Sequence, residues 1–240
     1  CIMNLKHIKQ WIERQRVHGM EAHIVSAGPS LPKQLPELRK ELDRAAGKVF
    51  CVKHSHNTLL EGGIIPFGCV ILDPRPIDGI STHGIKRRDL LAEPHPNVIY
   101  FIASMTHPSV TEHLLSKNAN VVGWHAYSTS AAKYKLPPGT FWVIGGTCSA
   151  FRAVGLSHVL GFRAAHMWGF DLCVWEEPKD KDAIEIIEGK KRPKWLNISV
   201  GKNKQGFWTT GELVAAAQDM RAMAADTNSD ISYFVHGEGV

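Results

Sequence analysis

The chain holds 240 residues, 44% hydrophobic and 21% charged, values of an ordinary globular protein that exclude the disordered and collagenous classes. Lys and Arg number 28 against 23 Asp and Glu, a net charge of +5; this mild excess favours anionic ligands and speaks against a dedicated nucleic-acid binder. The length suits one medium α/β domain, since domains hold about 100–200 residues. The most apolar stretch, residues 141–162, is broken by Arg152 and His158 and carries four glycines, a poor bilayer span. No secretory leader pattern opens the chain, and a start at Cys1 suggests that the native N-terminus is missing or processed. Five cysteines without CxxC spacing argue against a disulfide framework and a structural zinc site. They point to a reducing, cytoplasmic compartment.

Leu5, Ile8, Trp11 and Ile12 repeat at helical spacing, so residues 1–20 read as an accessory N-terminal helix preceding a domain over 21–240. His23, Ile24 and Val25 form a short strand that ends in Ser26-Ala27-Gly28-Pro29-Ser30, and Leu35, Leu38 and Leu42 mark the helix that follows. Residues 48–52 read as a strand, 57–61 as a short helix and 67–72 as a strand stopped by Asp73-Pro74. Four prolines and the Lys86-Arg87-Arg88 cluster predict an exposed loop over residues 74–96.

The alternation resumes with a strand at 98–103, a helix at 110–115 and a strand at 121–122. Beyond Pro137-Pro138-Gly139 come the apolar residues 141–144, the Gly145-Gly146-Thr147 loop, a helix from Ser149 to Leu160 and a strand over 164–168. Residues 176–194 are highly charged and contain Pro178 and Pro193, the composition of a lid, an insertion or an exposed helix. A strand at 196–200 and a helix over 212–225, capped by Thr209 or Thr210, finish the chain. Such strand and helix alternation predicts a Rossmann-like, mostly parallel sheet flanked by helices, with ligands at the carboxyl ends of its strands.

Candidate functional residues therefore sit after strands. In Ser26-Ala27-Gly28-Pro29-Ser30 the glycine permits close backbone approach, and a helix N-terminus attracts phosphate; an ordinary strand-to-helix turn explains the same residues. Gly145, Gly146, Thr147 and Ser149 form a second loop with hydroxyls and open N–H groups suited to phosphate or ribose, or simply a helix cap. Asp73 and Asp171 each close a strand, where a carboxylate holds Mg²⁺, binds sugar hydroxyls or acts as a base, or else serves as a turn residue or cap. Ser55 and His56 border the crevice as substrate contacts.

His54-Ser55-His56 has the spacing that puts two imidazoles on one face of a strand, with His83, His95, His107 and His125 as further ligands, but no HExxH pattern supports zinc. Cys51 and Cys69 lie in apolar strands as inert thiols, while Cys148 at a helix start has room for thiolate character. Lys86-Arg87-Arg88 and Lys190-Lys191-Arg192 read as phosphate clamps or as solvated charged faces. Neither a Walker lysine loop nor GxGxxG is present.

Taken in order, Ile24-Val25-Ser26-Ala27-Gly28-Pro29-Ser30-Leu31, Gly63-Ile64-Ile65-Pro66, Leu72-Asp73-Pro74, Gly145-Gly146-Thr147, Leu160-Gly161 and Gly169-Phe170-Asp171 resemble the 6-hydroxymethylpterin diphosphokinase-like family, which includes the bacterial motility accessory factors. The resemblance spans residues 22–240 in ordered pieces. It implies a Rossmann-like domain that handles a nucleotide, with Mg²⁺ held by Asp73 or Asp171 bridging ATP phosphates while a hydroxymethyl oxygen attacks the β-phosphorus. The same GPSL loop is distantly similar to that of bacterial sialyltransferases using a CMP-activated sugar; they carry a catalytic histidine beyond the second acidic motif, where this chain has only His236. Ser26 also stands where a glycine is common. The sequence thus supports three functions for a small phosphorylated ligand: diphosphate transfer from ATP, glycosyl transfer from a nucleotide sugar, and nucleotide binding without turnover.

Overall fold

The computed structural model describes residues 6–80, 85–187, 189–200, 205–227 and 229–236; Cys1, Leu5 and His83 lie outside them. In chain order the elements are β1 (Glu21–Val25), α1 (Leu31–Arg44), β2 (Gly47–Val52), α2 (His56–Glu61), β3 (Gly68–Ile71), β4 (Ile99–Ala103), α3 (Pro108–Ser116), β5 (Asn120–Ala126), β6 (Trp142–Val143), α4 (Ser149–Val159) and β7 (Ala164–Trp168). They continue with β8 (Ile184–Ile187), β9 (Lys190–Pro193), β10 (Trp195–Val200), β11 (Gln205–Thr210), α5 (Gly211–Ala225) and β12 (Ser232–Val235).

Among the described residues, eight strands form one sheet in the order β12-β7-β1-β2-β3-β4-β5-β6, and every pair is parallel. The fold is the expected Rossmann-like α/β architecture. Both sheet faces are buried, which is why the strands read as continuous apolar runs. Ile24, Phe50, Val70, Phe101 and Trp124 point to the face covered by α4 and α5. Val25, Cys51, Cys69 and Ile102 point to the other, under Leu31, Leu38, Leu59, Val110 and Leu114 of α1, α2 and α3. Each fully buried leucine of that second layer contributes roughly 1.5–3 kcal/mol. The chain adds strands outward from β1 to β6, then returns across the sheet through α4 to lay β7 on the far side of β1. The strand order therefore reverses between β1 and β7.

Two predicted elements are corrected, and the charged insertion takes a definite form. Residues 6–20 form no helix: they run extended along the sheet edge, with Ile12 N–H donating to Gly123 O (2.9 Å) and Gly123 N–H to Gln10 O (2.8 Å). The apolar stripe that suggested a helix serves both layers, Ile8 in one and Ile12 in the other. A Cβ at Gly123 would lie 2.7 Å from Ile8 Cγ2, so glycine is what lets the segment approach. Together with the two-residue β6 it covers the edge of β5, a device against edge-to-edge pairing. The charged stretch 176–194 carries the antiparallel hairpin β8–β9. The 74–96 excursion is partly buried, with Ile77, Arg87, Leu90 and Leu91 inside. The expected strand at 196–200 is β10; the periodicity missed β12 and β11, the antiparallel partner of β10, which bridges Val174 through Trp208. No described helix is long and apolar enough to cross a membrane.

Two buried histidines make stability depend on pH. His23 is fully buried and its Nδ1 accepts the Trp168 Nε1–H (3.2 Å); burial, then the neighbouring His166 and His236, lowers its pKa to about 4. His125, stacked on Trp11 at 4.3 Å, is lowered by burial to about 4. Both stay neutral in the folded protein while the unfolded chain takes up protons below about pH 6.5, so stability falls as pH drops from about 6.5 to 4. We expect the melting temperature to fall by at least about 4 °C between pH 7 and pH 4.5, with a shallower dependence in His23→Gln, both read by calorimetric scans.

Candidate functional site

The reversal between β1 and β7 places the loops after these two strands side by side at the carboxyl edge, where open α/β sheets bind ligands. Gly28 N–H donates to Gly169 O (2.8 Å). Ser30 donates its N–H to Asp171 Oδ2 (2.7 Å) and its hydroxyl to Asp171 Oδ1 (2.6 Å). Asp171, 1% exposed, thus fills the anion position at the start of α1. Leu31 N–H reaches Gly28 O, and Lys33 and Gln34 N–H both reach Ser30 O; Pro29 and Pro32 have no N–H to offer. Of the two readings of this loop, the structure therefore builds the closed turn: from Gly28 to Gln34 each backbone N–H already has a partner. Gln34 ties the arrangement together, donating to Ser30 Oγ (2.9 Å) and His236 O (3.1 Å) and accepting from Gly169 N–H (2.7 Å). Ser26 is half-buried and Ala27 exposed at the lip of this turn.

Next along the edge, the loops after β2 and β3 carry a charged cluster. Lys53 Nζ donates to Asp73 Oδ2 (2.7 Å), Arg75 Nε to Oδ1 (2.7 Å) and Arg75 Nη2 to Oδ2 (3.1 Å), and Arg87 Nε stands 3.5 Å from Oδ2. Burial opposes ionisation of Asp73, but the hydrogen bonds from Arg75 and Lys53 outweigh it and hold the carboxyl far below the usual carboxylate range. Neither aspartate fits the expected Mg²⁺ site in this arrangement. Cations surround Asp73, and both Asp171 oxygens accept from Ser30. Sequence reasoning placed Lys53 among the polar residues at the strand ends, passed over Arg75, and left Arg87 between a phosphate clamp and a solvated face; the pairing of a short polar loop with a buried arginine is visible only in three dimensions.

Several other expected residues have structural positions. Ser55 donates its hydroxyl to Val25 O (2.7 Å), joining the ends of β1 and β2. His56 begins α2 instead of sharing a strand face with His54; its fully buried ring bonds Tyr100 Oη (2.9 Å) and Asn57 Oδ1 (2.8 Å), which corrects its assignment as a substrate contact. Burial lowers its pKa. In the second loop, Thr147 donates both N–H and hydroxyl to Asp219 Oδ2 on α5 (2.8 Å each), and a Cβ at Gly146 would meet Phe151 and Asp219. Gly145 packs likewise against Arg152, and Ser149 is half-buried at the first position of α4. Cys148 is no activated thiol, because burial pushes its pKa up. β6 lies at the far end of the sheet, so this loop approaches the β7 end through the Phe151–Phe170 contact, 5.1 Å between ring centroids.

A family model described as 6-hydroxymethylpterin diphosphokinase MptE-like matches residues 1–177. No curated protein matches the chain. Among solved structures, the MAf glycosyltransferase from Magnetospirillum magneticum AMB-1 shares the fold, with a TM-score of 0.64 at 14% identity. The likeness covers 100% of this chain and 36% of that one, so the chain spans about a third of the length of that protein.

Two substitutions probe the clamp at the strand reversal. A Cβ at Gly28 would lie 2.9 Å from Asp171 Cγ and closer still to its Oδ2 and to Gly169 O, so Gly28→Ala should destabilise by about 1–3 kcal/mol. In Asp171→Asn, one of the two Ser30 donors loses its acceptor, a loss of about 1–3 kcal/mol. Because both act on one contact, urea unfolding of the double variant should show less than additive loss; full additivity would contradict the clamp.

Proposed function

Because the chain belongs to the 6-hydroxymethylpterin diphosphokinase MptE-like family, we propose that it is a nucleotide-dependent transferase whose co-substrate lies along the carboxyl edge of the sheet beside the β1–β7 reversal. The observation that carries this reading is the strand order: β7 and β2 flank β1 on opposite sides, which opens a crevice between the loops they feed. Ser26, Ala27, Lys53 and Arg75 border that crevice. Diphosphate transfer would join an acceptor hydroxymethyl oxygen to the β-phosphorus of ATP, break the bond from that phosphorus to the α-bridging oxygen, and release AMP. For such a transfer a protein supplies mainly position and charge neutralisation.

The likeness of fold to a glycosyltransferase supports a second reading, transfer of a sugar from a nucleotide donor, although fold alone does not assign chemistry. Titration calorimetry with ATP and with nucleotide sugars tests both. We expect binding between about 1 μM and 1 mM, and no heat from any nucleoside diphosphate, triphosphate or nucleotide sugar would refute the proposal. AMP formed from ATP identifies diphosphate transfer, whereas free nucleotide formed from a sugar donor identifies glycosyl transfer.

A further inference from the structure

We propose that Lys53, Arg75 and Arg87 form a phosphate- or diphosphate-binding site in which Asp73 is the internal counter-ion instead of a metal ligand. Three cations face one carboxylate there, leaving an excess of positive charge. Lys53 and Asp73 have side chains only 8% exposed, and Arg87 is buried with its side chain 10% exposed. Desolvated cations need a matching anion or they destabilise the fold, and Asp73 balances one of the two buried cations, Lys53 and Arg87. Glu212 adds a negative charge that acts on Arg75 but has no hydrogen bond to the cluster among the described residues.

The donors that remain point to the same conclusion. Arg87 is held by its two Nη groups, which donate to Pro76 O (2.9 Å) and Ile80 O (2.7 Å). Its buried Nε has no hydrogen-bond partner, although it stands 3.5 Å from Asp73 Oδ2. This buried charged donor therefore faces the cluster with hydrogen-bonding capacity that the protein itself does not use. Arg75, with its side chain 47% exposed, is the solvent-facing entrance, and a guanidinium offers paired N–H donors that match phosphate oxygens. The start of α1 does not compete for the anion, because Asp171 already occupies it. The transferase reading is needed only to say what molecule carries the phosphate; the anion site stands without it.

Calorimetry and thermal-shift measurements with pyrophosphate, inorganic phosphate, ATP and adenosine test the proposal at constant ionic strength. Pyrophosphate and ATP should bind and raise the melting temperature, adenosine should bind at least tenfold more weakly than ATP, and Arg75→Ala should weaken pyrophosphate and ATP by about tenfold or more. Arg44→Ala, a change of equal charge on the exposed last turn of α1, should leave both affinities unchanged. If Arg87→Met does not fold, Lys53→Gln and the exposed Arg75→Ala carry the test. The site is refuted if the wild type ignores pyrophosphate and phosphate, or if Arg75→Ala binds ATP as well as the wild type does. Arg75-dependent pyrophosphate binding without any nucleotide turnover supports the site and refutes the transferase reading alone.

Discussion

The Asp171 carboxylate, accepting two hydrogen bonds from Ser30, fixes how the loops after β1 and β7 meet. It joins the end of β7 to the start of α1 across the reversal of strand order, satisfies the helix terminus and favours the positive end of its dipole. Gly28 exists to let the two loops approach, and Gln34 extends the joint to the end of β12. An anion at this helix start is thus supplied by the protein. The consequence for ligand binding is a displacement of the charge-bearing site by one or two strands, to the ends of β2 and β3.

There the electrostatics are of the opposite kind. Asp171 meets neutral donors, whereas Asp73 sits among three cations. Two aspartates that end apolar strands in similar sequence contexts therefore have different roles, set by which strands lie beside them. Buried unequal charge is a poor way to stabilise a fold and a good way to recognise an anion. Arg87 shows the trade: each of its Nη groups holds a backbone carbonyl of the 74–96 excursion, and its Nε faces the cluster.

The second glycine loop illustrates the same point. Gly145, Gly146 and Thr147 read as a phosphate-ready turn, yet Asp219 from a helix more than seventy residues later takes both Thr147 donors. Backbone N–H groups that look open in sequence are open only if no distant carboxylate reaches them. His56 follows a similar logic, since a tyrosine on β4 claims its Nε2 inside the core.

The alternation of strands and helices through β7 and the parallel arrangement were determined by the sequence alone, because apolar periodicity and Gly/Pro punctuation are local signals. It also carried the family resemblance in its ordered Gly28-Pro29-Ser30, Asp73 and Gly169-Phe170-Asp171 pieces. The N-terminal segment escaped it, since Ile8 and Ile12 serve opposite faces of a sheet whose edge forms only after β5 is in place. Which carboxylate caps a helix and which gathers cations was decided by tertiary structure. Partners such as Ser30 and Asp171 lie 141 residues apart, and a hydrogen bond over that separation leaves no periodic trace in the chain.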